Sequence, residues 1–336
     1  MRVLTYLLTG GAGFIGSHLT DALLDRGDTV VVLDDLSTGD RGNLARAWPQ
    51  RGLRFVRGSV LDARLVDELT GRCDVVVHLA AAVGTRLAAR PLESFTAGVR
   101  GTETVVGAAL RHGRRLLLAS TSEIYGKNGA GPLAETDDRI LGQTTVARWS
   151  HSTAKAVDEI LALGHHHEHG LPVTVARLFN TAGPRQTPRS GAVVPTFAAQ
   201  ALAGQPLTVH GDGTQRRCLA HVADVVDALL LLLDHPGAVG EVVNVGCGEP
   251  TAVADLAGLV VERAGSPSPL RFVPHERGAP GDEDPIRVPD TRKLRALTGW
   301  QPRRTLDDLV DAALADAAAR TAATSLATPL VAPAGV

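Results

Sequence analysis

Three short stretches of the chain hold residue types whose spacing could do chemistry. RWSHSTAK, residues 148 to 155, sets His151 four positions before Lys155 within a helical pattern. Residues at i and i+4 share a helix face, so the imidazole and the ammonium reach one site. A neutral imidazole, with an ordinary pKa of about 6.5, can take a proton near neutral pH. The ammonium beside it disfavours imidazolium and keeps the ring accepting. ASTSEIYG, residues 119 to 126, follows the apolar run RLLL and so ends at the carboxyl edge of a strand, where open α/β folds bind ligands. It offers Thr121, Ser122 and Glu123 there. The third stretch, TGGAGFIGSHL, spaces Gly10, Gly13 and Gly16 three apart, with Phe14 and Ile15 opening a helix. Glycine at these points permits a tight turn, close backbone approach to a pyrophosphate and helix-to-strand packing, while the helix N-terminus presents amides to the anion.

About twenty residues further on, Asp34 closes the apolar run TVVVLD, where a carboxylate can hold both ribose hydroxyls. An Asp there repels a 2′-phosphate, and the nearest cation, Arg41, lies beyond a turn, so the expected cofactor is NAD rather than NADP. GHHHEHG, residues 164 to 170, reads as a solvated helix end whose histidines suit the C-terminal dipole. With no paired Cys and no His-Glu-x-x-His pattern, no metal is expected.

The elements that must position these groups are legible as an alternation. Through residue 180, apolar runs of β type (LTYLL, TVVVLD, RFVRG, DVVVHLA, RLLLAS, VTVARL) alternate with helical patterns, including one near 98 to 112. That order predicts an α/β fold with a doubly wound parallel sheet, its strands continuously apolar because both faces are covered. After Asn180 the chain breaks into Gly- and Pro-rich segments separated by helices, which predicts a smaller interleaved lobe. The expected division is a dinucleotide-binding unit over 1–180 with a return segment at about 218–247, a second lobe from 181–217 and 248–320, and a disordered tail over 321–336. ALLLLLDH, 228 to 235, is too short to cross a bilayer and is read as a buried helix. With 336 residues, 44% hydrophobic and a net charge of −2, the chain should bury a large core and gives no reason to expect nucleic acid or a membrane as partner. Three widely spaced cysteines fit buried thiols in a reducing compartment, and no leader pattern precedes the first strand, so a cytoplasmic location is expected.

With these motifs in order, the chain resembles the extended short-chain dehydrogenase/reductase family, in particular its nucleotide-sugar epimerases, dehydratases and decarboxylases. The resemblance extends to about residue 312. It implies a Rossmann-type fold, tightly held NAD, a nucleotide-sugar substrate and a homodimer formed through two helices. It further implies that Asp62, in GSVLD, reaches the adenine side and that Leu79, Ala80 and Ala81, in HLAAAVG, line the cofactor. Thr121 would hydrogen-bond the sugar 4-hydroxyl, and the Ser122-Glu123 pair matches the glucuronate decarboxylases, with Glu123 near sugar C5. Asn180 and Arg185 in RLFNTAGPRQ, Arg217 in GDGTQRRC and Arg287 in GDEDPIRVPD match substrate-contacting segments, where guanidinium suits bidentate anion contacts. Arg86, after the fourth strand, could face a hexuronate carboxylate.

Two departures from the family pattern stand out. Gly98, in GVRGTETVV, takes the place of an Asn, and His151 takes the place of the Tyr in Tyr-x-x-x-Lys. The expected activity is NAD-dependent decarboxylation of UDP-glucuronate to UDP-xylose or UDP-4-keto-pentose through a 4-keto sugar. A nucleotide-sugar 4-epimerase, or a binding protein whose chemistry went with the tyrosine, are the alternatives.

Overall fold

The computed structural model describes residues 2–81, 91–129, 131–146, 149–188, 191–274 and 286–327. Seven parallel strands form the central sheet: β1 (Thr5–Thr9), β2 (Thr29–Asp34), β3 (Leu53–Arg57), β4 (Val75–His78), β5 (Arg115–Thr121), β6 (Val173–Leu178) and β7 (Val242–Val245). Their spatial order is β7-β6-β5-β4-β1-β2-β3, so the direction of winding reverses between β1 and β4. At that switch point the carboxyl ends of the strands leave a crevice, which is where open α/β sheets bind ligands.

Successive strand residues point to opposite faces, and both faces are covered, which is why the strands are apolar throughout. In β1, Tyr6 and Leu8 pack against α1 (Phe14–Asp25) and α6 (Val222–Asp234), with Leu19, Leu23, Val225, Leu229 and Leu232 in the same core. Leu7 faces the other way, into a core shared with α2 (Ala63–Gly71), α3 (Pro91–Arg111) and α4 (Trp149–His169). A third core, with Phe197, Leu256, Val260, Leu309 and Val310, joins α5 (Val193–Leu202), α7 (Val253–Ala264) and α9 (Leu306–Ala327), the short α8 (Arg292–Thr298) lying between the last two in the chain. The pairing of Leu207–His210 with Leu270–Val273 adds a two-stranded parallel ribbon to this part.

The doubly wound expectation holds, and ALLLLLDH is the end of α6, with Leu229, Leu232 and Leu233 buried. No described helix is long and apolar enough to cross a membrane. Helix α3 begins at Pro91, several residues ahead of the helical pattern read from the sequence; proline suits a first helical turn because its missing N–H would have no partner there. The expected disordered tail needs correction: α9 continues to Ala327. TAATSLA is rich in Ala, the best helix former, and holds no Gly or Pro that would stop a helix already nucleated by packing. Residues 328–336 and Arg86 lie outside the described residues. Cys73 and Cys218 are buried and Cys247 half-buried, all as free thiols; burial pushes the first two up to about 11.

Candidate active site

A cleft of about 1140 Å³ follows the carboxyl edge of the sheet across the switch point. Gly10, Gly13, Phe14, Ile15 and Gly16 line one end, Asp34 the next, and Leu79, Ala80 and Ala81 its floor; Thr121, His151 and Lys155 stand at the far end. Gly10 has φ +73°, and a Cβ there would fall 2.7 Å from the amide nitrogen of Ala80. A Cβ at Gly16 would run into the carbonyl of Gly10. The first amide of α1 with a helical acceptor is that of Ser17, bonded to Gly13 O at 3.1 Å, and no side chain caps the helix. The amides of Phe14, Ile15 and Gly16 therefore line the cleft end without a backbone acceptor among the described residues, a ready anion site for a pyrophosphate.

Asp34 is buried, its Oδ2 accepting from Ala12 N at 2.9 Å and its Oδ1 from Leu36 N at 2.8 Å. Burial raises its pKa, and these two amides act against that rise. Each oxygen keeps a second lone pair for a ribose hydroxyl. Arg41 does not line the cleft; its guanidinium sits over Trp48 at 5.0 Å and Phe55 at 5.6 Å, which fits a site without a 2′-phosphate. Gly98 lines the cleft from α3, and a Cβ there meets nothing within 4 Å among the described residues, so the missing Asn leaves open space rather than a filled substitute.

At the catalytic end, α4 carries His151 and Lys155 on one face. Lys155 is buried, with Nζ 3.1 Å from Ala119 O and 3.1 Å from Asp158 Oδ2. His151 lines the cleft; burial first, and the Lys155 ammonium second, push its imidazole down to about 4, with Asp158 pulling the other way. The ring is therefore neutral and ready to accept a proton. Thr121 caps the single turn Ser122–Tyr125, its Oγ1 accepting from Glu123 N at 3.2 Å, which leaves its own proton free to donate. Glu123 is half-buried on that turn. Its charge reaches Arg287: burial lowers the guanidinium's pKa, and the charge that opposes this is the Glu123 carboxylate.

Of the remaining expected residues, Arg185 lines the cleft, whereas Asp62, Ser122, Glu123, Asn180, Arg217 and Arg287 do not. Asp62 is exposed, does not line the cleft, and caps α2 by accepting from Leu65 N at 3.1 Å; Ser59, Val60 and Leu61 line the cleft in its stead. Arg185 lines the cofactor cleft and donates to Asp21 Oδ2 of α1 at 2.6 Å, its backbone held at φ +68°. Asn180 passes its carbonyl to Ala220 N at 2.9 Å. Arg217, on the strand Arg216–Cys218, donates Nη1 to Arg216 O at 2.8 Å. Ser122 is buried beneath the turn, and neither it, Asn180 nor Arg217 lines the cleft. The histidines of GHHHEHG end α4 before Gly170, which has φ +72°, and His166 Nδ1 lies 2.8 Å from Leu171 O.

Sequence reading missed the groups behind the site. Glu159 accepts from Ser120 Oγ at 2.5 Å and from Arg177 Nε and Nη2 at 3.0 and 2.8 Å, all three residues buried. Arg177 Nη1 goes on to Tyr125 OH at 3.0 Å, and Tyr125 donates to Asn244 Oδ1 at 2.8 Å. This network joins α4, β5, β6, β7 and the Glu123 turn. His78, at the end of β4, is held between Thr9 Oγ1 at 2.6 Å and Thr102 Oγ1 at 3.1 Å. Burial, with Lys155 adding to it, pushes His78 down to about 3.

His78 and His151 make stability fall in mild acid. Below pH 6.5 the unfolded chain takes up protons at these positions while the native chain does not, so the stabilisation present above pH 6.5 is lost as pH falls toward 4. Each contributes a slope of about 1.4 kcal/mol per pH unit, so urea unfolding at pH 6 and 5 should differ by about 2–3 kcal/mol. In His78→Gln about half of that slope should disappear. An unchanged slope would mean that His78 is protonated in the native protein.

Comparison with known proteins places this geometry. A UDP-N-acetyl-alpha-D-glucosaminuronate decarboxylase of Bacillus cytotoxicus is 37% identical over 301 residues, covering 88% of this chain and 92% of the relative. UDP-glucuronic acid decarboxylase 4 of Arabidopsis thaliana is 35% identical over 308 residues, covering 91% of this chain and 66% of the relative. Among solved structures, UDP-glucose 4-epimerase of Thermotoga maritima superposes with a TM-score of 0.85 at 29% identity, covering 95% of this chain and 100% of that one. A UDP-glucuronic acid 4-epimerase from Bacillus cereus, crystallised with UDP-glucuronic acid and NAD, gives 0.85 at 26% identity, covering 94% and 100%. The model of the family described as NAD dependent epimerase/dehydratase matches residues 6–246. The chain belongs to that family, and NAD is the cofactor that its glycine cradle and Asp34 fit.

Proposed function

We propose that the protein decarboxylates UDP-glucuronate, or a closely related UDP-hexuronate, through a 4-keto sugar, giving UDP-xylose or UDP-4-keto-pentose. One observation carries the reading: the turn that follows Thr121, at the cleft end that holds His151 and Lys155, carries Glu123, whose carboxylate is the charge acting on the buried Arg287. NAD, when bound, takes up the hydride of sugar C4 and can return it. His151 accepts the 4-hydroxyl proton, and the Thr121 hydroxyl orients that oxygen. The 4-keto product is a β-keto acid, so its C5–C6 bond breaks with the electron pair moving toward O4 and carbon dioxide leaving. The imidazolium just formed on His151 and the donating Thr121 hydroxyl stabilise the oxyanion that develops there. Arg287 pairs with the substrate carboxylate before it is lost, and Glu123 handles the proton that returns to C5. Gly10, Gly13, Gly16, Asp34, Ala80 and Lys155 hold the cofactor.

Two decarboxylases among the relatives support this reading. The structural likeness to UDP-glucuronic acid 4-epimerase supports epimerisation as the second reading. A homodimer through α3 and α4 belongs to the same proposal, supported by the exposed Val157 and Ile160 one turn apart on α4. Incubation with NAD and UDP-glucuronate, followed by mass analysis, should show loss of carbon dioxide. An unchanged mass with inverted C4 would establish the epimerase, and no turnover across UDP-glucuronate, UDP-N-acetylglucosaminuronate and UDP-glucose would establish a binding protein.

A further inference from the structure

His151, Lys155 and Asp158 stand at i, i+4 and i+7 along one face of α4. Asp158 is fully buried, and the Lys155 ammonium, 3.1 Å from its Oδ2, is the partner it has among the described residues. The helix buries one other acid, Glu159, which Arg177 matches with two hydrogen bonds, whereas neither Asp158 oxygen has a hydrogen-bond partner among the described residues. Its other buried positions include Ala154, Ala156 and Ala162, and a lone buried acid costs far more than an alanine. The reason lies in the charge of the base. A phenol acts as a base in its anionic form, so an unbalanced ammonium one turn away assists it. An imidazole acts as a base in its neutral form and becomes a cation, so the same ammonium opposes the transfer.

We propose that Asp158 is a positioning residue that anchors the Lys155 ammonium and offsets its field at His151, adapting a lysine site to a histidine base. The proposal rests on the reading of His151 as the base. The electrostatics agree in direction, since Lys155 disfavours the imidazolium and Asp158 favours it. Among the described residues, the other groups around the site leave this couple as the one that acts on His151. His78, from β4, is neutral and faces Lys155. Ser120 and Thr121, from β5, are uncharged. Glu159 is committed to Arg177 and Ser120, and Glu123 is the charge that acts on Arg287.

The test compares Asp158→Asn in two backgrounds, the parent and His151→Tyr, by kcat against pH with NAD and UDP-glucuronate. In the parent, Asp158→Asn should lower kcat at pH 7 about tenfold and move the acidic limb down by about one pH unit. In the His151→Tyr background the same change should raise kcat, because the freed ammonium now favours the phenolate. Equal losses in both backgrounds with an unmoved limb would assign Asp158 to packing and overturn the proposal. NMR titration of the His151 ring in the ligand-free protein keeps this result separate from the function itself. A midpoint about one unit lower in Asp158→Asn supports the coupling even if no substrate turns over, whereas an unmoved midpoint refutes it. If Asp158→Asn does not fold, Asp158→Ala takes its place in both measurements, and a chain that folds with neither overturns the proposal in favour of a structural role. His151→Ala turning over as fast as the parent would instead refute the base assignment.

Discussion

His151→Ala should lower turnover of UDP-glucuronate about 10²- to 10⁴-fold, the usual contribution of a positioned base, while leaving NAD affinity close to that of the parent. The asymmetry follows from geometry. The ring lines the cleft with no hydrogen bond of its own among the described residues, whereas the proposed cofactor contacts fall to Lys155 and the glycine turn. Because burial and Lys155 keep the imidazole near 4, the acidic limb of the parent's rate profile should lie well below pH 6.5. His151→Tyr returns the acid–base group that the family uses and should remain above His151→Ala. Stopped-flow measurement of NADH formation with UDP-glucuronate reads the oxidation step directly. An alanine variant as fast as the parent would remove His151 from the mechanism.

The largest effect on stability should come from Glu159→Ala, at about 3–5 kcal/mol, because it leaves the buried Arg177 guanidinium without its carboxylate. Ser120 loses its acceptor in the same step, and Ser120 lies between Ala119, whose carbonyl receives Lys155, and Thr121. The double variant Glu159→Leu/Arg177→Met should recover much of the loss, since two apolar groups of similar size avoid the unpaired charge. Urea titration of the three proteins at pH 7 decides the matter. A single variant that loses less than about 1 kcal/mol would show that water reaches Arg177 when Glu159 is removed.

The fold was legible because its signals lie within single elements. Strands covered on both faces must be apolar along their whole length, and the glycine turn, Asp34 and the His151-to-Lys155 interval are set by spacing inside one strand, turn or helix. The groups that tune the site were hidden because their partners are distant in sequence. Glu159 meets Ser120 across 39 residues and Arg185 meets Asp21 across 164. Asp62 adds a role that the motif did not show: its carboxylate caps α2 by accepting from Leu65 N. Asp158 was visible at the right helical interval, but only its burial against Lys155 shows that it belongs to the site.

The cofactor cleft is closed by segments far apart in the chain. His18 Nε2, on α1, lies 2.9 Å from Pro184 O, and Arg185 reaches Asp21 on the same helix, so the pyrophosphate end is complete only when the chain after β6 has docked onto its beginning. A ligand that binds such a pocket has little affinity for any partly folded chain. Its binding free energy is therefore added to the cooperative unfolding of the whole nucleotide-binding part, rising as RT ln(1 + [L]/Kd). Melting temperature in the presence of NAD thus becomes a global report on occupancy, and loss of the cofactor a route to degradation as well as to inactivity.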